Sequence, residues 1–168
     1  TAQMTPASEV GGDYYDVIPC PDGGCWIAIG DVAGHGLPAG LVMMMLQSAL
    51  SALVRALPNA TPRQIVPTLN RLLFDNIRNR MGSDEHVTFT AARYHPDGRL
   101  VFAGAHEYML LLRHGQRSCE QVETPGTWLA VIEDIGSATT DHEIQLQPGD
   151  TLCLYTDGIT EAFDDQKK

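Results

Sequence analysis

The apolar positions of the chain change period twice, from strand to helix and back. Val10 to Ile18 and Cys25 to Ile29 read as two strands around the turn Pro21-Asp22-Gly23-Gly24. Within the second, Trp26-Ile27-Ala28-Ile29 is a continuous apolar run, the pattern of a buried strand. From Pro38 to Leu57 the spacing becomes helical, with Pro38 placed in the first turn, where its missing N–H costs nothing. Leu41, Met45, Ser48/Ala49, Ala52 and Ala56 share one face, and Met44, Leu46, Leu50, Leu53 and Leu57 widen it. The pattern predicts a helix buried over much of its circumference. Met43-Met44-Met45 reads as adaptable core filling. Pro58-Asn59-Ala60 ends this helix, and Thr61-Pro62 supplies an N-cap and an N1 proline for the next. The second helix is predicted to about Arg80, with Ile65, Leu69, Leu72, Leu73 and Ile77 inward, and Pro67 is expected to bend it or delay its start.

From His86 the pattern returns to strands. Val87 to Tyr94 and Arg99 to Ala103 flank the turn His95-Pro96-Asp97-Gly98. Tyr108 to Arg113, a short strand near Gln121-Val122, Glu143 to Leu146 and Thr151 to Tyr155 follow, with an irregular stretch from Thr124 to Thr139. Many strands with one helix pair inserted after the second predict an α+β protein: mostly antiparallel, two sheets, helices outside.

Composition narrows the class. A length of 168 residues predicts one domain. An apolar fraction of 43% against 19% charged residues is that of a globular protein. The longest apolar stretch, Leu37 to Leu57, is interrupted by Gln47, Ser48, Ser51 and Arg55, so no membrane span and no membrane contact are expected. The start at Thr1, with no basic hydrophobic leader, predicts an excised piece of a longer protein without a signal peptide. A net charge of −10 speaks against nucleic acid and anionic membranes as partners. Cys20, Cys25, Cys119 and Cys153 match no common zinc spacing and read as reduced thiols of a cytoplasmic domain.

Candidate chemistry rests on three aspartates in glycine-punctuated segments. They are Asp13 in Gly11-Gly12-Asp13-Tyr14-Tyr15-Asp16, Asp31 in Gly30-Asp31-Val32-Ala33-Gly34-His35-Gly36, and Asp157 in Tyr155-Thr156-Asp157-Gly158. Each closes or flanks a strand-like run, so the fold can assemble them. Hard oxygen ligands favour Mg²⁺ or Mn²⁺ over zinc. Converging carboxylates would raise one another's pKa unless a cation lay among them. Two divalent ions would supply an activated water and neutralise a phosphate ester, without a serine, cysteine or histidine nucleophile. Gly34-x-Gly36 is not a P-loop, since no Gly-Lys-Ser/Thr follows.

These residues reach a family. Pro6-Ala7-Ser8-Glu9-Val10-Gly11-Gly12-Asp13-Tyr14-Tyr15-Asp16-Val17 resembles the opening strand of bacterial PPM-type (type 2C-like) serine/threonine phosphatases, in the branch of the sporulation stage II and sigma-B regulator phosphatases. Gly30-Asp31-Val32-Ala33-Gly34-His35-Gly36-Leu37-Pro38-Ala39 resembles its second motif, and Pro148-Gly149-Asp150 with Leu154-Tyr155-Thr156-Asp157-Gly158-Ile159-Thr160-Glu161-Ala162 its late motif. Phe89-Thr90-Ala91, Ala103-Gly104-Ala105-His106-Glu107 and Pro125-Gly126-Thr127-Trp128-Leu129 fit in order. The resemblance implies an αββα sandwich. It implies two Mn²⁺ or Mg²⁺ ions, with Asp31 bridging both, Asp13 and the Val32 backbone carbonyl on the second, and Asp157 on the first. It implies a phosphorylated protein substrate, an anti-anti-sigma-type domain switched by dephosphorylation, and an upstream sensory or regulatory domain in the parent protein.

The pattern also has departures. The family continues to a last strand whose Asp-Asp pair completes the first metal site, whereas Asp164-Asp165 follow Asp157 too soon and read as a solvated loop. The domain is therefore expected to be truncated at its C-terminus and at its N-terminus, holding its first metal poorly. Gly40 stands where a second alanine is common, Ala105-His106-Glu107 where His-Asn-Pro is common, and Ala130 where glycine is usual. Asp16, His35 and Glu161 are candidates to support the ligands from behind. His106 and Glu107 read as structural, and His86, His95, His114 and His142 need no function. Two alternatives stay open: a catalytically impaired or metal-deficient interaction module of the same fold, and a two-metal phosphoesterase for small molecules.

Overall fold

A computed structural model of the chain describes residues 1–5 and 11–161. The stretch Pro6–Val10 of the opening motif, Ala162 of the late motif and the pair Asp164-Asp165 lie outside the described residues. In chain order the elements are β1 (Tyr14–Pro19), β2 (Cys25–Val32), α1 (Leu37–Ala56), α2 (Pro62–Phe74) with a π-helical continuation (Asp75–Met81), β3 (Val87–Tyr94), β4 (Arg99–Ala105), β5 (Met109–Leu112), β6 (Glu120–Val122), β7 (His142–Gln145), β8 (Thr151–Cys153) and α3 (Asp157–Thr160).

Two antiparallel sheets result, one of five strands in the order β1-β2-β3-β4-β7 and one of three in the order β6-β5-β8. Strand alternation divides the core between them. Trp26, Ala28, Phe89, Ala91 and Ala103 face the helices, where Val42, Leu46, Leu50 and Val54 of α1 and Ile65, Leu69 and Leu73 of α2 meet them. Ile27, Ala92, Tyr94, Leu100 and Phe102 face the smaller sheet and its Met109, Val122 and Leu152. Helices pack on the five-stranded sheet. The outer helical layer expected on the smaller sheet is not formed by the described residues.

The expected elements are present, with differences that have physical causes. In α1 the buried residues are Ala39, Gly40, Val42, Leu46, Leu50 and Val54, whereas Leu41 and Met44 are 49% and 52% exposed. The helix is apolar almost all round, so periodicity alone does not select its inner face. The small pair Ala39-Gly40 is buried at its start. An 18-residue window of the 20-residue α1 has a mean hydropathy of 1.7, so by length and composition alone the helix could cross a membrane despite its polar interruptions. Its inner stripe instead fills the helix–sheet core.

In α2, Pro67 does not delay the helix, which already starts at Pro62 and carries the proline inside it. The first turn is held from within and without: the Gln64 side chain, at N3 of the helix, accepts the Thr61 N–H at 2.9 Å, and Asp141 from outside it accepts the Arg63 N–H at 2.7 Å. Val66 is buried there and Leu72 is 38% exposed, the reverse of the expected assignment. All four cysteines are free. Cys20 packs on the helix side, while alternation puts Cys25 on the Ile27 side of the same hairpin.

Candidate metal centre

Asp31 is the next-to-last residue of β2, paired across the ladder with Thr88. The ladder ends where the Ala33 N–H donates to the His86 carbonyl, and Gly34 (φ 98) and Gly36 (φ 74) then turn the chain into α1. Asp13 stands immediately before β1, whose first residue, Tyr14, pairs with Gly30. The Val32 N–H donates to the Gly12 carbonyl at 3.3 Å. Gly12 is buried, and a Cβ built on it would lie 2.6 Å from the Val32 carbonyl oxygen and 3.1 Å from an Asp31 carboxylate oxygen. That glycine is what allows Asp13 to approach the Asp31-Val32 peptide. Asp157 begins α3, just past the end of β8 in the other sheet.

Asp31 is the perturbed carboxylate. The Asp31 pKa is pushed up to about 6, first by burial and then by the negative charges of Asp13 and Asp157. Among the described residues, however, no three His, Cys, Asp or Glu side chains are gathered closely enough to hold an ion by themselves. Asp157 is exposed, and the arrangement is open. The donors are all hard oxygens, their mutual repulsion is what a divalent cation relieves, and Gly12 leaves the Val32 carbonyl unobstructed. The residues therefore fit Mg²⁺ or Mn²⁺ as an open site.

The supporting candidates separate. Asp16 accepts a hydrogen bond from the Tyr14 hydroxyl at 3.3 Å within the same strand, on the side that Tyr14 occupies. Burial and Asp16 together raise the Tyr14 pKa well above its ordinary value. His35 is exposed in the loop before α1. Glu161 closes α3 through its backbone N–H, which donates to the Asp157 carbonyl at 2.7 Å, and its side chain is exposed.

Other motif residues prove to be fasteners. Asp150 accepts the His114 N–H, the Gln147 N–H and Arg113 at 2.9–3.0 Å. These bonds, with Gln147 foremost, hold its carboxyl below the usual range. Ala130 sits at φ 64, in the left-handed region, which accounts for a glycine being usual there. Its strained peptide is clamped: Asn70 accepts the Ala130 N–H at 2.8 Å and donates to the Ile132 and Glu133 carbonyls, and Arg78 donates to the Ala130 carbonyl. Nothing in the apolar pattern marks Asn70; its one signal is an amide standing between Leu69 and Leu73 on an otherwise inward helix face. His86 stacks on Trp128 with ring centroids 5.3 Å apart. His106, taken from sequence as structural, lies between the two sheets.

The model of the family "Stage II sporulation protein E (SpoIIE)" matches residues 21–168. The chain belongs to the SpoIIE family. The phosphoserine phosphatase RsbU of Bacillus subtilis (strain 168) is 30% identical over 163 residues, which make up 96% of this chain and 46% of RsbU. Protein IcfG of Synechocystis sp. is 25% identical over 183 residues, covering 96% of this chain and 28% of IcfG. The SpoIIE-family chain thus spans less than half the length of both relatives. Among solved structures, the RsbU and RsbW domains of Rv1364c from Mycobacterium tuberculosis superpose with a TM-score of 0.75 at 24% identity, over 95% of this chain and 42% of that one. The SiaA-PP2C domain of Pseudomonas aeruginosa gives 0.69 at 23% identity, over 96% of this chain and 62% of that one. The fold of this SpoIIE-family chain is that of the PP2C domains.

Proposed function

We propose that this domain is a Mn²⁺- or Mg²⁺-dependent protein serine/threonine phosphatase acting in bacterial partner-switching signalling, on a phosphorylated anti-anti-sigma-type protein. The observation that carries the reading is the Gly12 contact that packs the Asp13 turn against Asp31 and the Val32 carbonyl, with the charges of Asp13 and Asp157 adding to the upward push that burial gives the Asp31 pKa. Membership of the SpoIIE family and similarity to RsbU, a phosphoserine phosphatase, support the reaction class.

Asp31, Asp13, Asp157 and the Val32 carbonyl would hold the ions. When bound, these supply activation of water for attack on phosphorus and neutralise charge on the phosphate oxygens. The protein contributes placement. The β2–β3 ladder fixes Asp31, the Gly12 contact fixes Asp13 beside it, and the β8–α3 junction brings Asp157 from the other sheet. His35, on the exposed glycine loop, is free to reach a phosphate.

The test is phosphate release from a phosphoserine protein by the full-length enzyme, with Mn²⁺ and with EDTA. Turnover should require Mn²⁺ and fall at least about 100-fold in Asp31→Asn. Turnover unchanged by EDTA or by Asp31→Asn would exclude the reading. Tight phosphoprotein binding without turnover would favour the interaction-module alternative.

A further inference from the structure

Asp31 lies on the five-stranded sheet and Asp157 follows β8, a strand of the other, so something must hold the Asp157 segment against the first sheet. His106 stands between them, in the connection from β4 to β5. Its backbone is pinned by one side chain: the His106 N–H donates to Thr124 Oγ1 at 3.0 Å, and that hydroxyl donates back to the His106 carbonyl at 2.6 Å. Its ring then spans the gap. Nδ1 lies 2.9 Å from Thr88 Oγ1, on the strand paired with Asp31, and Thr88 Oγ1 is 3.4 Å from the Asp31 carbonyl. Nε2 lies 3.0 Å from the carbonyl of Tyr155, two residues before Asp157.

The partners settle the tautomer. A carbonyl only accepts, so Nε2 carries a proton; in the neutral ring Nδ1 then takes the single Thr88 hydroxyl proton, which leaves the approach of Thr88 Oγ1 to the Asp31 carbonyl a contact and not a hydrogen bond. Burial favours this neutral ring, holding the His106 pKa below its ordinary value. Strand pairing of β8 with β5 stops at Cys153. Beyond it, among the described residues, the Nε2–Tyr155 bond alone fastens 155–157 to the other sheet by a hydrogen bond, since the remaining bonds there are local to Thr156–Glu161.

We propose that His106 is a positioning residue, a cross-sheet tether that holds the Asp157 segment at working distance from Asp31 and so sets the affinity for the divalent ion between them. The proposal rests on the metal-centre reading above. It makes Nε2 the decisive atom, which separates it from a general packing role.

Glutamine places an amide N–H₂ near the position of Nε2, whereas asparagine reaches only as far as Nδ1. Mn²⁺ affinity of the full-length protein is measured by calorimetry for the wild type, His106→Gln, His106→Asn, His106→Ala and Asp31→Asn, alongside thermal unfolding in EDTA. Loss of the tether should weaken Mn²⁺ binding about 10-fold or more in His106→Asn and His106→Ala, with His106→Gln within about threefold of wild type. The metal-free melting temperatures of His106→Gln and His106→Asn should match, so that pair decides even where His106→Ala fails to fold. Unchanged affinity in all three His106 variants, with binding lost in Asp31→Asn, would overturn the tether and leave the metal centre standing. Equal losses in the glutamine and asparagine variants, or affinity falling in step with metal-free stability, would assign His106 a packing role instead. Absence of Mn²⁺ binding by the wild type, or binding unaffected by Asp31→Asn, would overturn the metal centre and the tether with it.

Discussion

At the scale of single residues, the contact between Gly12 and Asp31 sets what the site can tolerate. A methyl at position 12 meets the Val32 carbonyl at 2.6 Å, and the opposing atom is backbone, so the strand must move. Gly12→Ala should cost about 1–3 kcal/mol in urea unfolding and weaken Mn²⁺ binding along with it. Asp31 also writes a pH signature. Its carboxyl titrates near 6 in the folded protein against an ordinary 3.8. The stability it allows is therefore fully present below about pH 4 and is lost as pH rises through 6. Because the site is half open, solvent screening reduces the effect to about 1 kcal/mol. In EDTA, the difference in melting temperature between Asp31→Asn and wild type should grow from pH 4 to pH 6.5 in favour of the variant. A difference that does not change over that range would refute the clustering of the three carboxylates. The three candidate aspartates stood out in the sequence because Asp13, Asp31 and Asp157 each stand beside a glycine near a strand-like run. The roles of Thr88 and His106 were not, since a threonine and a histidine on strand ends look the same whether or not their hydrogen bonds cross between sheets.

At the scale of elements, α2 and the irregular segment after Thr124 behave as one unit. The buried Asn70 amide makes three hydrogen bonds to the backbone of residues 130–133, and Arg78 takes the carbonyl beside them. Leu129 in turn pairs with Val87 at the start of β3. Asn70→Ala strands those backbone groups and should destabilise the domain by about 2–4 kcal/mol, read from urea unfolding. Asp150 makes the complementary case. It belongs to a motif shared with the phosphatases, yet its partners are Arg113 and two backbone N–H groups of nearby turns. Asp150→Asn should lower the melting temperature while leaving Mn²⁺ affinity unchanged. Strands and turns were readable because alternation and Asp-Gly or Pro-Gly signals are local. The inner face of α1 was not, because a helix rich in Leu, Met and Ala offers several apolar faces and only its contact with the sheet chooses among them.

At the scale of the whole molecule, the proposed site draws on both sheets. One sheet contributes Asp13 and Asp31 through neighbouring strands, and the other delivers Asp157 at the β8–α3 junction. The order of motifs along the chain revealed the family, and with it the sandwich, but not how far apart the carboxylates stand. That separation depends on the sheet-to-sheet register, which no local pattern encodes. The central claim is that these three aspartates form one divalent-metal centre. Anomalous diffraction from Mn²⁺-soaked crystals of the full-length protein tests it most directly. The account predicts manganese peaks bonded to Asp31, with Asp13 and Asp157 among the ligands. Manganese bound elsewhere, with none at Asp31, would contradict it.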